Sequence, residues 1–340
     1  MLSLMDSRLG LALRAWPALR SASRRQHHTF HYEQVLGTSF ELQVTAASYR
    51  AAQRAESAAL AEVDRLEPIL SAWSGTSELA CWLMTRDCDV CVSPELVEVL
   101  RASEQWRVLT GGAFDPAAQA VITVLRDHAD CALDEETFTT LLSAMHVPRW
   151  SLDVARGTAR RRTPLAISLD AIAKGYIVAR AAARARDVAG VGSVLLNIGG
   201  DIQHCGDDTM SVGIADPHAP AENAPPIAVV RLHNAALATS GGYRRGFVTN
   251  GRRVSHIVDP RTGQPAEHIA SASVLAPNCA TADALSTAFS VMSPRESLAL
   301  ADTLPAIGCL LVTHDGRRIT NATWDAAATP LHATATTHGS

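Results

Sequence analysis

Lysine is almost absent from this chain. Of its 30 basic residues, 29 are arginine and one, Lys174, is lysine. Where a surface charge suffices the chain uses arginine, so a lone lysine either survives by chance or marks a position that needs a compact ammonium on a flexible stem, which a planar guanidinium does not replace. Aromatic residues are also few, at 5% of 340 residues, and no apolar run approaches the roughly 20 residues of a membrane-spanning helix. That excludes a polytopic membrane protein. A net charge of -4 offers no clustered basic face, and so no electrostatic case for nucleic acid. The seven cysteines are an odd number, at positions 81, 88, 91, 131, 205, 279 and 309, and form no disulfide framework. Cys88 and Cys91 make one C-x-x-C with Cys81 upstream, but no second pair answers them to close a zinc site. Buried strand or loop cysteines are expected instead.

The first 31 residues carry Arg8, Arg14, Arg20, Arg24 and Arg25 against one acid, Asp6. Their apolar stretch is interrupted by Arg14 and precedes the Arg24-Arg25 pair, the reverse of a secretory signal, and no lipobox-type cysteine lies there. A basic, disordered leader over 1–31 is expected. Phe40, Leu42 and Val44 alternate as in a half-buried strand, and Ala52, Ala55, Ala59, Val63 and Leu66 recur at three and four residues, a helix ending near Pro68. Ser93-Pro94-Glu95 starts another helix, which stops at Gly111-Gly112. Residues 126–165 read as mixed and polar, with Arg160 to Arg162 a solvated turn. A helix is expected over Asp170 to Val188, and strands at 194–198, 210–214, 227–239, 253–258 and 271–276. Strands following one another without helices between them favour antiparallel pairing. Helix returns over 278–304, a hairpin closes at Asp315-Gly316, and an Ala/Thr-rich tail over 326–340 is expected to be disordered.

Several stretches have residue types suited to chemistry, and each, taken singly, has a plain structural alternative. Asp283 and Thr287 are four apart, so a helix sets a carboxylate and a hydroxyl on one face as hard-oxygen ligands suited to magnesium. Ser168 to Gly175 begins a helix, whose free N–H groups and positive dipole end suit phosphate, with Lys174 one turn in. Gly111 to Pro116 is a turn of small residues with Asp115 as an acceptor. His256 stands on the strand before the Asp259 to Gly263 turn, where a histidine could act as a base near neutrality.

Together these stretches resemble one family. ApbE proteins carry G-A-F-D-P, I-A-K-G-Y, N-I-G-G-D, A-T-S-G, S-H-I-x-D-P-x-T-G and A-D-A-L-S-T. Here they recur in that order as Gly112 to Pro116, Ile172 to Tyr176, Asn197 to Asp201, Ala238 to Gly241, Ser255 to Gly263 and Ala282 to Thr287. Leu36 to Thr38 and Ser71 to Leu79 also fit, so the match spans roughly residues 33–315. The resemblance implies an α+β, T-fold-like unit over 32–325, built of two intertwined subdomains with mainly antiparallel sheets and packed helices. It implies transfer of FMN from FAD to a Thr or Ser hydroxyl of an acceptor protein, with AMP leaving. By motif position Mg2+ would be held by Asp283, Thr287 and the backbone oxygen of Ala171. FAD would touch Leu36, Trp73, Ala113, Phe114, Asp115, Ser168, Lys174 and Ile257, with Trp73 stacking on a flat ring. His256 is the expected general base and Asp283 the second catalytic residue.

The chain departs from the family pattern at Ser168, where an acid is common, at Asp170, where a small residue is common, and at Ala117, where the family has Thr. Acceptors in the family carry D-[GA]-x-[ST]-[GA]-[AT]-[ST], which this chain lacks, so it is not expected to modify itself. The alternatives are an FAD pyrophosphatase, in which water attacks, and a flavin-binding protein without catalysis. Retention of both Asp283 and Thr287 argues against the last, since flavin binding alone needs no metal. The resemblance implies the periplasmic side of the inner membrane, while the missing signal and lipobox keep the cytoplasm as the alternative.

Lys174→Arg is expected to weaken FAD use although it keeps the charge, because the larger forked head does not fit the space of an ammonium. Steady-state turnover of FAD by the variant checks this, and normal turnover would remove the argument from the lone lysine.

Overall fold

The computed structural model describes residues 25–127, 135–219, 224–241, 246–249, 252–255, 258–266 and 268–329. The chain opens on an antiparallel hairpin, β1 (Gln26–Val35) and β2 (Thr38–Ala46), followed by α1 (Tyr49–Leu70), α2 (Glu78–Leu83), β3 (Val90–Cys91) and α3 (Pro94–Leu109). It continues through α4 (Ala118–Asp127), α5 (Glu135–Ala144), β4 (Trp150–Asp153), β5 (Thr158–Arg161) and α6 (Asp170–Arg186). The second half is strand-rich: β6 (Val191–Ile198), β7 (Asp201–Gly206), β8 (Met210–Ile214), β9 (Ala228–Leu232), β10 (Ala236–Gly241), β11 (Gly246–Thr249), β12 (Arg252–Ser255), β13 (Val258–Asp259), β14 (Gln264–Pro265) and β15 (Ile269–Ala276). It closes with α7 (Cys279–Val291), α8 (Pro294–Thr303), β16 (Gly308–Thr313), β17 (Arg318–Thr320), α9 (Ala322–Ala327) and β18 (Ala328–Thr329).

The main sheet has the order β1-β2-β6-β7-β10-β15-β16-β17, and every neighbouring pair in it is antiparallel. Helices α1, α6 and α7 cover one face. The small sheet β18-β9-β8, with α9, covers part of the other, where Leu195, Ile202, Leu237, Leu275 and Leu310 meet Val230, Leu232 and Trp324. Central strands covered on both faces have no polar side to show, which is why β15 and β16 are buried at every position. The α+β architecture with antiparallel sheets and packed helices agrees with the sequence reading. Among the described residues no helix is long and apolar enough to cross a membrane.

Small residues decide how closely the helix layer packs. α1 begins at Ser48, whose Oγ accepts from Ala51 N at 3.3 Å, and buries Ala52, Ala55, Ala59, Val63 and Leu66 on one stripe. α6 answers with Ala181, Ala182 and Ala185. Buried Glu62 ties the two helices by accepting from Arg65 at 2.9 Å and lying 3.6 Å from both Arg180 and Arg184. The tightest approach is between α6 and α7. A Cβ built on Gly175 would collide with the Cys279 carbonyl and lie 2.8 Å from Asp283 Cβ. Only glycine lets these two axes come so near.

The structure corrects several expectations. Residues 25–31 of the expected leader are described, and β1 begins at Gln26, held by pairing with β2. In the expected tail, α9 runs to Ala327 and β18 pairs with β9. The 227–239 stretch is two strands in different sheets, β9 and β10, broken where Asn234 takes φ +46. The 278–304 stretch is two helices. A capping box of Ser293 and Glu296 with Pro294 in the first turn starts the second of them. Residues 126–165 hold α5, β4 and β5, and Arg160 to Arg162 is no solvated turn: Arg160 pairs with Asp89 at 2.6 Å and Arg161 donates to the Leu83, Pro164 and Leu165 carbonyls. Cys81, Cys88 and Cys91 are exposed, whereas Cys279 and Cys309 are buried as expected. Cys131 lies outside the described residues.

Gly175→Ala is expected to lower the urea midpoint by an amount equivalent to about 1–3 kcal/mol, the usual penalty for overpacking a core. Equilibrium urea unfolding measures it, and an unchanged midpoint would contradict the close crossing.

Candidate functional site

The crossing of α6 and α7 determines what the site holds. Asp283 sits on the second turn of α7, and Asn278 starts that helix by accepting from Thr281 N at 3.0 Å. Its Oδ2 accepts from Gly175 N at 3.1 Å. Ala171, four residues before Gly175 on the first turn of α6, lines the cleft, and its carbonyl oxygen, with two lone pairs, can accept one more partner than the helix uses. One turn beyond Asp283, Thr287 Oγ1 lies 3.3 Å from Ser240 Oγ, which also meets Ser286 Oγ at 2.9 Å. The end of β10 therefore braces the turn of α7 that holds Thr287.

Lys174 reaches into the same place from α6. Its Nζ lies 2.5 Å from Oδ2 of Asp201, the first residue of β7. That oxygen is buried and has no hydrogen-bond partner, so the contact is close in distance but off the line of a hydrogen bond. Asp201 and Asp283 are 3% and 5% exposed. Burial, and then the neighbouring Asp201 charge, push the Asp283 carboxyl well above the usual carboxylate range, and burial also raises Asp201. Burial works against the Lys174 charge, but the Asp201 and Asp283 carboxylates outweigh it and raise Lys174 to about 12. Two buried carboxyl groups thus face one ammonium, and Asp201 Oδ2 is ion-paired with it. All the donors offered, from Asp283, Thr287 and Ala171, are oxygens. This arrangement fits a hard divalent cation such as Mg2+, which completes its shell with water and ligand phosphates. Among the described residues no group of three His, Cys, Asp or Glu side chains makes an all-protein metal cage.

Ala171, Lys174, Asp283 and Thr287 lie on a cleft of about 620 Å³. Its wall includes Ala113, Phe114, Asp115, Ser168, Ala171, Lys174, Asp283 and Thr287, so eight of the sequence-predicted site residues come together. Asp170 and Ser240 also line it, as do Val212 to Ala215 along β8. The entry to α6 is tied to the Gly112 to Pro116 turn, since Ser168 N donates to the Pro116 carbonyl at 2.8 Å, and Ser168 Oγ accepts from Asp170 N at 3.1 Å. A depression of about 360 Å³ between Asp216, His218 and His314 contains none of the predicted residues.

Other predicted residues lie apart. Trp73 is 87% exposed on the loop after α1 and does not line the cleft. Leu36, at φ +51 in the β1–β2 turn, packs against the core instead of lining the cleft. Its turn does touch the rim: a Cβ on Gly199, at φ +62, would come 2.7 Å from the Thr38 side chain. His256 and Ile257 lie outside the described residues, although Val258, next in the chain, is at the cleft wall.

Sequence reasoning assigned no role to Arg149, Asp201 or Ser240. Asp201 and Ser240 stood inside quoted motifs, so a signal was present. Arg149 had none. Its side chain is fully buried and grips Asp115 through Nε at 3.1 Å and Nη2 at 2.5 Å, while donating to the Ala144, Met145 and Val147 carbonyls at the end of α5. Both oxygens of Asp115 are thereby engaged, and Ala117 N donates to one of them at 2.8 Å.

A phosphate-suited helix start, a half-buried ammonium and the Asp283 and Thr287 oxygens on one cleft define an α+β protein with a candidate ligand-binding site. The chain belongs to the ApbE family, whose profile matches residues 36–311. Among its relatives, the FAD:protein FMN transferase of Treponema pallidum is 32% identical over 290 residues, covering 76% of this chain and 78% of that protein. The Rhodobacter capsulatus FAD:protein FMN transferase is 33% identical over 232 residues, covering 66% of this chain and 44% of that longer protein. The crystal structure of the ApbE protein of Thermotoga maritima superposes with a TM-score of 0.77 at 26% identity, covering 90% of this chain and 100% of that one.

Arg149→Met is expected to cost about 3–5 kcal/mol of stability, because it leaves Asp115 buried and unpaired. Adding Asp115→Asn is expected to restore part of the loss. Thermal unfolding of both variants and the parent checks this, and a double variant no more stable than Arg149→Met would contradict the pairing.

Proposed function

We propose that this protein is a magnesium-dependent FAD:protein FMN transferase. The chain is a transferase of the ApbE family, with FAD as its flavin substrate and a protein as acceptor. The observation that carries this reading is the grouping of Lys174, Asp283, Thr287 and the Ala171 carbonyl on one cleft, at the start of α6. In the proposed reaction a Ser or Thr oxygen of the acceptor bonds to the FMN-side phosphorus of FAD. The bond to the AMP oxygen breaks, and AMP leaves with the electron pair. The acceptor is proposed to carry the motif D-[GA]-x-[ST]-[GA]-[AT]-[ST] and to be a redox or electron-transport subunit.

Phosphoryl transfer depends mostly on positioning and on neutralising charge. Lys174 is set to offset the charge of the diphosphate, and the first turn of α6 presents its positive dipole end to the same oxygens. Asp283, Thr287 and the Ala171 carbonyl would hold Mg2+, which when bound polarises phosphate oxygens and offsets their charge. The Gly112 to Pro116 turn, clamped through Asp115 and Arg149, forms a rigid lip over the ligand. His256 is the proposed acceptor of the hydroxyl proton, and Trp73, Leu36 and Ile257 the proposed outer contacts of FAD. Placement on the periplasmic side of the membrane is proposed from family resemblance.

Asp283→Asn is expected to abolish transfer while preserving the fold and much of the FAD binding. The amide keeps the size of the carboxylate and loses the charge that holds a hard cation, a loss on the order of a hundredfold to a thousandfold in rate. Covalent flavin on an acceptor protein, read by in-gel fluorescence across a magnesium titration, measures it. Near-normal labelling by the variant, or by the parent in excess EDTA, would sink the metal assignment.

A further inference from the structure

The cleft has a second wall, which the flavin site does not use. Lys174, Asp283 and Thr287 reach it from helices on one face of the main sheet, while Val212 to Ala215 reach it from β8, in the small sheet that covers the other face. Between them the cleft passes the end of the main sheet, at the Gly199-Gly200 turn and at Ser240 and Gly241 of β10. None of the groups assigned above to FAD or to the cation comes from the small sheet.

Strand β8 is an edge. Its sheet has the order β18-β9-β8, and among the described residues β8 pairs with β9 alone. Met210, Val212 and Ile214 pack into the core beneath the small sheet, and Ser211 and Gly213 are exposed. A strand bonded on one side presents unpaired N–H and C=O groups on the other, and proteins commonly block such an edge with charged side chains, proline or a bulge. β8 reads Met-Ser-Val-Gly-Ile, with no charge and no proline, and it pairs with β9 without a break in register. The edges of the main sheet differ: β1 carries His27, His28, His31 and Glu33, and β17 carries Arg318. An open edge on a cleft suits another strand as its ligand, because a strand pairs those backbone groups and a flat ring leaves them bare.

We propose that β8 is the docking edge for the acceptor protein, which adds the segment around its reactive Ser or Thr to the small sheet as one more strand. The inference rests on the flavin-transferase reading and names the surface of that same cleft that takes the protein substrate. The acceptor has to bring its hydroxyl to the phosphorus from space that FAD does not fill, and β8 lines the part of the cleft with no assigned FAD contact. Apart from its first and third positions, the motif D-[GA]-x-[ST]-[GA]-[AT]-[ST] holds only Gly, Ala, Ser and Thr. Side chains of that size let an extended segment lie close against β8 in a cleft whose wall also includes Thr239, Ser240 and Thr287. Backbone bonds to β8 supply affinity and set the register that aims the hydroxyl.

Hydrogen exchange read by mass spectrometry on the full-length protein tests this. The probe is a synthetic peptide containing Asp-Gly-Ala-Thr-Gly-Ala-Thr, added in EDTA and without FAD so that no transfer occurs. The amides of residues 210–214 are expected to exchange at least about tenfold more slowly with the peptide, and at the rate of the free protein with FAD and Mg2+ in its place. Unslowed exchange at about 1 mM peptide would overturn the proposal, as would equal slowing by FAD or an edge already protected in the protein alone. Gly213→Lys, which adds a charge to the edge, is expected to raise the KM for the peptide in flavin transfer at least about tenfold and leave the KM for FAD within about threefold. An unchanged peptide KM would contradict the docking edge, and if the variant does not fold the exchange experiment on the parent decides. A parent protein that binds no FAD by flavin fluorescence removes the flavin-transferase reading, whereas FAD binding without slowing at β8 by the peptide removes this inference alone.

Discussion

The site depends on how closely α6 passes α7. At Gly175 the two helices approach to a distance that leaves no room for a side-chain carbon, and the Gly175 N–H is thereby brought onto Asp283. The same crossing sets Lys174, one residue earlier, on the side of α6 that faces β7, and places Asp201 within its reach. Were the helices one methyl group further apart, the acid pair and the ammonium would separate. The alanine-rich faces of α1 and α6 serve the same end, since they let the helix layer lie flat on the main sheet and hold the crossing in place.

A cluster of this kind is expensive to maintain. Buried carboxylates lose solvation, and a single ammonium does not repay two of them. Stability alone gives no reason to keep such a group, whereas the proposed metal and phosphate site does. Around the cluster the structure is stiff: Arg149 locks Asp115 and the end of α5, Ser240 braces α7, and Arg261 joins the Asp259 turn to Glu296 on α8. Rigidity in the walls suits a reaction whose acceleration comes mainly from holding phosphate and nucleophile in line.

Much of this was legible in the residues. Strand β2 and helix α1 followed from apolar periodicity, and α6 and the start of α7 could be placed to within a few residues, while the break between α7 and α8 could not. The pairing of Asp283 with Thr287 needs only helical spacing, and composition alone singles out Lys174. Other features were hidden for identifiable physical reasons. Arg149 looked like one more arginine in an arginine-rich chain, because only tertiary structure shows a guanidinium buried among carbonyls. Asp201 ended a quoted motif, but its partners are 27 residues upstream and 82 downstream, a separation that no local pattern reports. The break between β9 and β10 fell on Asn234, whose positive φ is permitted to asparagine but not announced by it. The exposed cysteines at 81, 88 and 91 were misjudged because cysteine is most often buried, and burial is a property of the fold and not of the residue.

The central claim is that one divalent cation and the FAD diphosphate share the crossing of α6 and α7. The most direct measurement is a crystal structure of the protein soaked with FAD and Mn2+, with the metal located by its anomalous scattering. The account predicts a single strong peak within coordination distance of Asp283, Thr287 and the Ala171 carbonyl, touching the phosphates of FAD, with Lys174 beside them. A peak at any other group of side chains, or FAD ordered in the cleft with its phosphates turned away from Lys174 and no metal between, would contradict it.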